Sequence, residues 1–491
     1  MAWKYERLSA QDTSFLLLED ENACLHVASV GIFERGPLAA PDGGVDFEKI
    51  ERFTEALLPR VPRYRQKLQW IPLQSHPVWV DDPVFNLHYH LRHTALPRPG
   101  SERQLKRMAA RVMSQPLDHT KPLWETWVVE GLEGDRFAMI QKIHHCMIDG
   151  MSGVDLANKM MSSVPGETEP GEPRPYVPRA APSGRELLTD ELVRRATQPL
   201  SLLARLAAGG EHREPDDGGA SWRSRARSIG ETLRQATEPT EDTPLNADIG
   251  PHRRFDWLAM DLLEVRAVRK ALGGSINDVV LAIVTGAVRR FFLERGADPD
   301  SGHFKAMTPV SVRDASERHA LGNRVSAWLV DLPIDEPDPA RQLERVVERT
   351  AELKRSQQAV GTDLLMQATD WLPGVLFALG ARAAGSALPF NMVVTNVPGP
   401  QHPWYLLGAR LLESYGMVPL IGRQGLGVAL GSYDGRLFWG FNADWEIVPD
   451  LHDFVNAVGA AFDDLCGAAG VKRGVAAAAG ADPASLLATG G

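Results

Sequence analysis

The sequence has few cysteines and no surplus of positive charge. Its three cysteines, Cys24, Cys146 and Cys466, are far apart in 491 residues, so we expect neither a disulfide framework nor a zinc ribbon. This scarcity fits a reducing compartment. The net charge of -10 argues against general nucleic-acid binding, since an anionic ligand would have to find a local basic site.

Long apolar runs are also absent. No run approaches the roughly 20 residues that span a bilayer. The first residues, MAWKYERLSAQD, have neither the apolar core nor the cleavage site of a signal peptide. We therefore expect a cytoplasmic protein that is soluble or attached to the surface of a membrane.

Several motifs that carry cofactors or nucleophiles are missing as well. The sequence contains no P-loop, no dinucleotide-binding GxGxxG and no GxSxG nucleophile elbow in a strand-turn-helix context. The segment GMSG at residues 150–153 is too short for such an elbow. We therefore expect no cofactor, and a covalent acyl-serine intermediate has little support.

The length and the distribution of proline and glycine predict two domains. A chain of 491 residues is too long for one ordinary core, and its 44% hydrophobic and 24% charged residues are typical of a globular protein. The composition shifts at Pro165, where PGETEPGEPRPYVPRAAPSG predicts an extended linker. The predicted division is a first domain at 1–164, a linker with amphipathic helices at 165–243, a second domain at 244–466 and a disordered Ala- and Gly-rich tail at 467–491.

The most informative stretch is Gln141–Gly153, which reads QKIHHCMIDGMSG. The preceding residues, 136–143, are predicted to form a largely buried strand that ends at two histidines. Because side chains alternate along a strand, His144 and His145 should point in opposite directions, and only one can face a given cavity. Gly150 then allows a tight turn, and the apolar spacing that follows predicts a helix.

Imidazole is well suited to accepting and returning a proton near neutral pH, so a histidine base is the leading interpretation. A buried contact between histidine and Asp149 that only stabilises the turn is the plainer alternative. A metal shared by His145 and Asp149 is weaker, because no third ligand lies nearby in the sequence. Cys146 could act as a nucleophile beside the base, or simply fill space as a small apolar residue.

The segment HHCMIDG matches the HHxxxDG motif of the acyltransferase superfamily that includes chloramphenicol acetyltransferase, plant alcohol acyltransferases and peptide-synthetase condensation domains. Further blocks narrow the match. From about residue 5 to about residue 465, the chain resembles the bacterial wax ester synthase / diacylglycerol acyltransferase family. The matching blocks are LSAQDTSFLLLE (Leu8–Glu19), PLDHTKPLWE (Pro116–Glu125), TPLN (Thr243–Asn246), GPHRRF (Gly250–Phe255), SINDVVLA (Ser275–Ala282), PVSVR (Pro309–Arg313) and TNVPGP (Thr395–Pro400).

The resemblance implies an α/β fold of two chloramphenicol-acetyltransferase-like domains, each with a mixed sheet, and an active-site channel between them. It also implies that His145 is the general base and that His144 supports the geometry of the site. Asp149 would brace the turn through a salt bridge to Arg313, and Gly150 would keep the turn close to the channel. No metal is expected.

Two further residues, Asn277 and Trp124, have two interpretations each, and Asp278 has a structural one. The resemblance makes Asn277 a candidate donor to the tetrahedral oxyanion. A residue entering a long apolar helix can instead cap it, which is the alternative for both Asn277 and Asp278. Trp124 could line an acyl channel, but an aromatic residue flanked by Leu and Val is more often part of the core.

The family implies long-chain acyl-CoA as a co-substrate and diacylglycerol or a long-chain alcohol as acceptor. The products would be triacylglycerol and wax esters. The protein would work peripherally at the inner face of the cell membrane or at lipid droplets, where the basic amphipathic stretch Arg185–Ala208 could lie on the surface or pack against a domain. Two alternatives stay open: acyl transfer to another alcohol or amine, and a lipid-surface binding protein without turnover.

Overall fold

A computed structural model describes residues 5–74, 76–147, 159–166, 172–194, 243–301, 303–311, 325–358 and 390–474. The strands and helices within these ranges are numbered in chain order. The strands are β1 (Glu6–Arg7), β2 (His26–Glu34), β3 (Gln66–Trp70), β4 (Pro77–Asp81), β5 (Leu91–Ala95), β6 (Trp124–Leu132), β7 (Arg136–His144), β8 (Arg253–Asp261), β9 (Phe304–Ser311), β10 (Val325–Leu332), β11 (Met392–Pro398), β12 (Tyr405–Leu406), β13 (Ala409–Met417), β14 (Leu426–Tyr433) and β15 (Arg436–Asp444). The labelled helices are α1 (Ala10–Leu18), α2 (Phe47–Leu57), α3 (Leu87–His90), α4 (Glu102–Ser114), α5 (Leu262–Leu272), α6 (Ile276–Glu294), α7 (Pro339–Gln358) and α8 (Leu451–Ala468).

The first large sheet has six strands in the order β12-β13-β2-β7-β6-β5. Only β5 and β6 are parallel, so the sheet is mixed. Its outer pair, β12 and β13, comes from the C-terminal half of the chain, and β13 pairs antiparallel with β2 so that Tyr415 lies opposite Val30. Two strands from the predicted second domain, 244–466, therefore complete a sheet of the first half. An extended segment can complete any sheet edge that it reaches, and local sequence does not specify which edge that is.

The second large sheet has the order β10-β9-β11-β14-β15-β8, and β11 is parallel to both of its neighbours. Helices α5 to α8 share one apolar core with this sheet. A tight turn joins β14 and β15. It places Asp434 and Gly435 at φ of 44° and 78°, a region that glycine enters at little cost.

The two halves of the molecule make close contact. A Cβ on Gly440 of β15 would lie 1.9 Å from the carbonyl oxygen of Gly416 in β13, so the two strands can approach this closely only because position 440 is glycine. Lys106 of α4 also forms an ion pair of 2.5 Å with Asp256 of β8. These contacts hold the first sheet and its helices against the second.

A small sheet, β1-β4-β3, is covered by a helix at residues 184–194. Leu187 of that helix joins an apolar cluster with Val78 and Val80. The Pro-rich segment before it has no regular secondary structure over residues 172–183, and Arg179 ties it to β4 through an ion pair of 2.8 Å with Asp81. The predicted linker is therefore extended where it is described, but it is attached to the surface.

No single helix among the described residues is long and apolar enough to cross a membrane. Helices α5 and α6 reach that composition only as a pair, and the pair is bent by 95°.

Candidate active site

The two histidines lie where β7 ends. His144 is the last residue of the strand and faces His26 of β2, and a short 3-10 turn, His145–Met147, follows at once. Backbone hydrogen bonds secure both positions: the N–H of His144 donates to Leu123 at 2.9 Å, and the N–H of His145 donates to Leu25 at 2.8 Å. The predicted buried strand ending at two histidines is confirmed.

His145 is partly buried and its ring stacks on Phe15 of α1, with centroids 3.9 Å apart. Burial is the main cause that lowers the pKa of His145 to about 4. Among the described residues, its Nδ1 has no hydrogen-bond partner. An imidazole with this pKa is neutral at pH 7 and can accept a proton, as a general base must.

His144 is completely buried. Its Nδ1 accepts a hydrogen bond of 3.1 Å from the backbone N–H of Cys146, and its Nε2 lies 3.2 Å from Oε1 of Glu19. The alignment at Nε2 falls short of a good hydrogen bond, so that contact is mainly electrostatic. The other carboxylate oxygen of Glu19 is 2.9 Å from Nε2 of His119, which is partly exposed.

Helix α1 supplies the partners of both histidines. Ser9 caps it by accepting from the N–H of Asp12. Phe15 and Glu19 are four residues apart, at its last turn and its C-terminal cap, and therefore face the same way. Sequence reasoning missed these two residues as site components. The available signal was a glutamate closing an apolar helix within a block that matched the family.

The thiol of Cys146 does not suit a nucleophilic role. It is free, almost fully buried, and packed in the core of the first half. Burial raises its pKa well above the ordinary value, so the thiol stays protonated. The interpretation as a small apolar filler agrees with this environment.

Asn277 and Asp278 lie in the first turn of α6, as predicted. Asp278 is a capping residue: its carboxylate accepts from the backbone N–H of Ser275 at 2.7 Å, and Thr350 donates to its other oxygen at 2.8 Å. The alternative of capping therefore holds for Asp278. The cap does not use the side chain of Asn277, which is partly buried, so a role for this amide in oxyanion binding stays a prediction.

Trp124 lies in the core of the first half and not on a described cavity. It is 1% exposed, its ring stacks on His90 at 4.8 Å, and its indole N–H donates to the carbonyl oxygen of Tyr64 at 2.8 Å. Of its two interpretations, the structure supports the core residue.

Asp149, Gly150 and Arg313 lie outside the described residues, as do most of the helix predicted to follow the turn and the tail from residue 475 onward. The salt bridge between Asp149 and Arg313, the metal shared by His145 and Asp149, and the channel itself therefore stay predictions. A different group of possible ligands is present, because ligand atoms of Glu19, His119 and His144 all lie within 4.8 Å of one another.

The site lies near the junction of the two halves. Phe15, which stacks on His145, packs on an apolar cluster of Ala23 and Leu25 from the first half with Ile249 and Leu420 from the second. Arg253 of β8 reaches the same region, where its guanidinium donates to the carbonyl oxygen of Asn22. A molecule that reaches His145 would therefore contact residues from both halves.

The chain is similar to characterised families along most of its length. Residues 8–280 match the family model described as the wax ester synthase/diacylglycerol acyltransferase catalytic domain, and residues 321–466 match the WS/DGAT C-terminal domain. A Mycobacterium tuberculosis protein named as the probable diacylglycerol O-acyltransferase tgs1 is 30% identical over 469 residues, covering 92% of this chain and 94% of that one.

Solved structures agree with these matches. The wax ester synthase/diacylglycerol acyltransferase from Marinobacter aquaeolei VT8 superimposes with a TM-score of 0.66 at 25% identity, covering 95% of this chain and all of that one (100%). The first condensation domain of the calcium-dependent antibiotic synthetase superimposes with a TM-score of 0.56 at 16% identity, covering 94% and 97%. The latter likeness concerns the fold alone. It confirms the predicted α/β architecture of two domains with mixed sheets.

Proposed function

Because the chain belongs to the wax ester synthase/diacylglycerol acyltransferase family, we propose that it transfers a long-chain acyl group from acyl-CoA to the free hydroxyl of diacylglycerol, and also to long-chain alcohols. The products are triacylglycerol and wax esters. The observation that carries this proposal is His145, held neutral beside a junction that residues of both halves form. A protein that only binds lipid has no need of such a base.

In the proposed mechanism, His145 takes the proton from the acceptor hydroxyl while the oxygen of that hydroxyl attacks the carbonyl carbon of the thioester. The carbon–oxygen bond forms first, and the tetrahedral oxyanion accepts a hydrogen bond from Asn277. The carbon–sulfur bond then breaks, and the imidazolium returns its proton to the CoA thiolate. Holding both substrates together supplies the proximity, so no acyl-enzyme is required. Asp149 and Gly150 would hold the turn that follows the base.

An assay of purified protein tests this function directly. Labelled palmitoyl-CoA is incubated with diacylglycerol, hexadecanol, a short alcohol or an amine, and the lipids are separated after thiol release is measured. We expect label in triacylglycerol and wax ester, at rates above those of the short acceptors. Thiol release only with an amine or a short alcohol would assign the chain to another acceptor class. If no acceptor led to thiol release, the chain would be a lipid-surface binding protein without turnover.

We also propose that the protein works at a lipid surface without spanning it. Both proposed acceptors are nearly insoluble in water, so they must enter from a membrane or a droplet, whereas acyl-CoA arrives from solution. The stretch predicted for surface contact begins with the helix at residues 184–194. In that helix, Leu187 is buried and Arg194 forms an ion pair of 2.8 Å with Glu191, so both side chains are engaged within the protein. The outward candidates are Leu192 and Val193, 59% and 56% exposed.

Flotation with anionic liposomes tests this surface. We expect the protein to float at low salt and less at high salt, since each exposed basic residue near anionic headgroups contributes roughly 1 kcal/mol. Changing Leu192 and Val193 to Ser should reduce flotation several-fold, because it removes the apolar contact without disturbing the Arg194 pair. The matched control makes the same change to Ser at Leu263 and Leu293, which are 60% and 55% exposed on α5 and α6. Equal flotation of both double variants would reject this helix as the attachment site.

A further inference from the structure

We infer that Glu19 is the positioning residue of the histidine pair: it orients the ring of His144 directly and the backbone of His145 through Leu25. This inference rests on the proposed function, because it assigns the support of the proposed base. The fold brings these residues together. Glu19 is the C-terminal cap of α1, and His144, the last residue of β7, lies 125 positions later in the chain. Three separate contacts carry the inference.

The first contact is with the backbone between α1 and β2. Oε1 of Glu19 accepts a hydrogen bond of 2.8 Å from the N–H of Leu25, and the carbonyl oxygen of that residue accepts one of 2.8 Å from the N–H of His145. One residue, Leu25, therefore links the carboxylate to the backbone of the proposed base. A displacement of Glu19 would move the start of β2 and, with it, the point at which the base is anchored.

The second contact selects the tautomer of His144. Its Nδ1 accepts from the N–H of Cys146, so this nitrogen carries a lone pair and the hydrogen of the neutral ring must be on Nε2. The Nε2 atom that carries it lies 3.2 Å from Oε1 of Glu19, within reach of an electrostatic contact although the alignment falls short of a good hydrogen bond. The carboxylate thus complements the tautomer that the backbone already requires, which is the role that a carboxylate plays beside a catalytic histidine.

The third contact keeps Glu19 charged. The C-terminal end of a helix is an unfavourable place for an anion, and burial alone would raise the pKa of Glu19. The contacts from His119 and His144 outweigh burial and lower the pKa of Glu19 below its ordinary value. The hydrogen bond to Glu19 in turn raises the pKa of His119. The partly exposed His119 therefore acts as a counter-charge that lets a carboxylate remain ionised under the buried ring.

A divalent metal among Glu19, His119 and His144 is the competing assignment, since the spacing of their ligand atoms permits it. A metal-bound histidine donates its second ring N–H to an acceptor. Here Nδ1 of His144 faces a donor, the N–H of Cys146, and not an acceptor. Metal binding at Nε2 would place two N–H groups against each other, so the hydrogen-bonded arrangement is favoured.

Steady-state kinetics of Glu19→Gln test the inference. Leu25 and His144 share Oε1 of Glu19, and His119 contacts the other oxygen. The NH2 group of the amide must therefore face either the N–H groups of Leu25 and His144 or Nε2 of His119, and the negative charge is lost in both orientations. We expect the rings to shift and kcat to fall on the order of 100-fold. The KM for acyl-CoA should stay within a factor of about three. The matched control is Glu21→Gln, which makes the same chemical change at an exposed position two residues away and should leave kcat unchanged. Near-normal kcat for Glu19→Gln would overturn the inference.

A measurement on the wild-type protein makes the test independent of activity and of whether the variant folds. In long-range proton–nitrogen NMR spectra of protein labelled with 15N-histidine, the signals that disappear in His144→Gln identify His144. They should show a neutral ring with hydrogen on Nε2. Hydrogen on Nδ1 would overturn the assignment, and so would about one equivalent of tightly bound Zn²⁺ in the isolated protein. If the acyl-transfer proposal fails while the tautomer is as stated, the positioning of His144 by Glu19 still stands.

Discussion

Replacing His145 with alanine should reduce kcat by about 100- to 10,000-fold while the protein stays folded, because the loss of a positioned general base has that cost. The structure explains why the protein should stay folded. The side chain of His145 is only partly buried, and its ring stacks on Phe15. Its backbone bond to Leu25 does not depend on the side chain. Thiol release from palmitoyl-CoA measures the rate, and thermal unfolding checks the fold.

Cys146→Ala is the matched control, since it removes a neighbouring side chain that is buried and protonated. Its kcat should stay within a factor of about two to three of wild type, with a small loss of stability from the cavity. A His145→Ala protein that melts normally and turns over at a near-normal rate would show that another group is the base. An acyl group trapped on Cys146 would point to a two-step route.

Trp124→Ala should lower the free energy of unfolding by about 3 to 5 kcal/mol, the usual cost of truncating a buried tryptophan. For a domain of this size, the melting temperature should fall on the order of 10 °C. Trp124 is 1% exposed, stacked on His90, and hydrogen-bonded to Tyr64, so the substitution removes a large volume and leaves a buried carbonyl oxygen without its partner. Thermal and urea unfolding measure the loss.

Trp124→Phe separates the two contributions, because it keeps the ring that stacks on His90 and removes only the indole N–H. It should cost about 1 to 3 kcal/mol, the penalty for an unsatisfied buried polar group. If Trp124 lined an acyl channel instead, both variants would change the KM for acyl-CoA or the preferred chain length with little effect on stability. That result would contradict its assignment to the core.

Much of the secondary structure follows from local patterns. Residues 47–58 and 103–113 have helical periodicity in the sequence, and the structure has α2 and α4 there, within one residue at each end. The strand predicted at 136–143 is β7, and the turn at Asp434 lies between β14 and β15. These elements depend on periodicity, capping and turn chemistry, which are local properties. The pairing of β13 with β2 joins distant parts of the chain, so local patterns do not specify it.

The site divides in the same way. The sequence placed His144 and His145 at the end of a strand, because a buried apolar run followed by a turn is recognisable from the residues alone. It did not identify Glu19 or His119 as partners of His144. Glu19 and His119 are 100 positions apart and meet only where α1 packs beside the end of β7. No spacing rule connects residues brought together by packing.

The sequence by itself determined the residue proposed as the base, the strand that leads to it and, through its motif blocks, the family. Those properties are set by side-chain chemistry and by interactions over a few residues. Only the tertiary structure decided the charge and the orientation of the site. The pKa of His145 falls to about 4 because packing removes water from its ring, and Glu19 stays ionised because two histidines from elsewhere in the chain contact it. Desolvation and ion pairing act through space, so they exist only once the chain has folded.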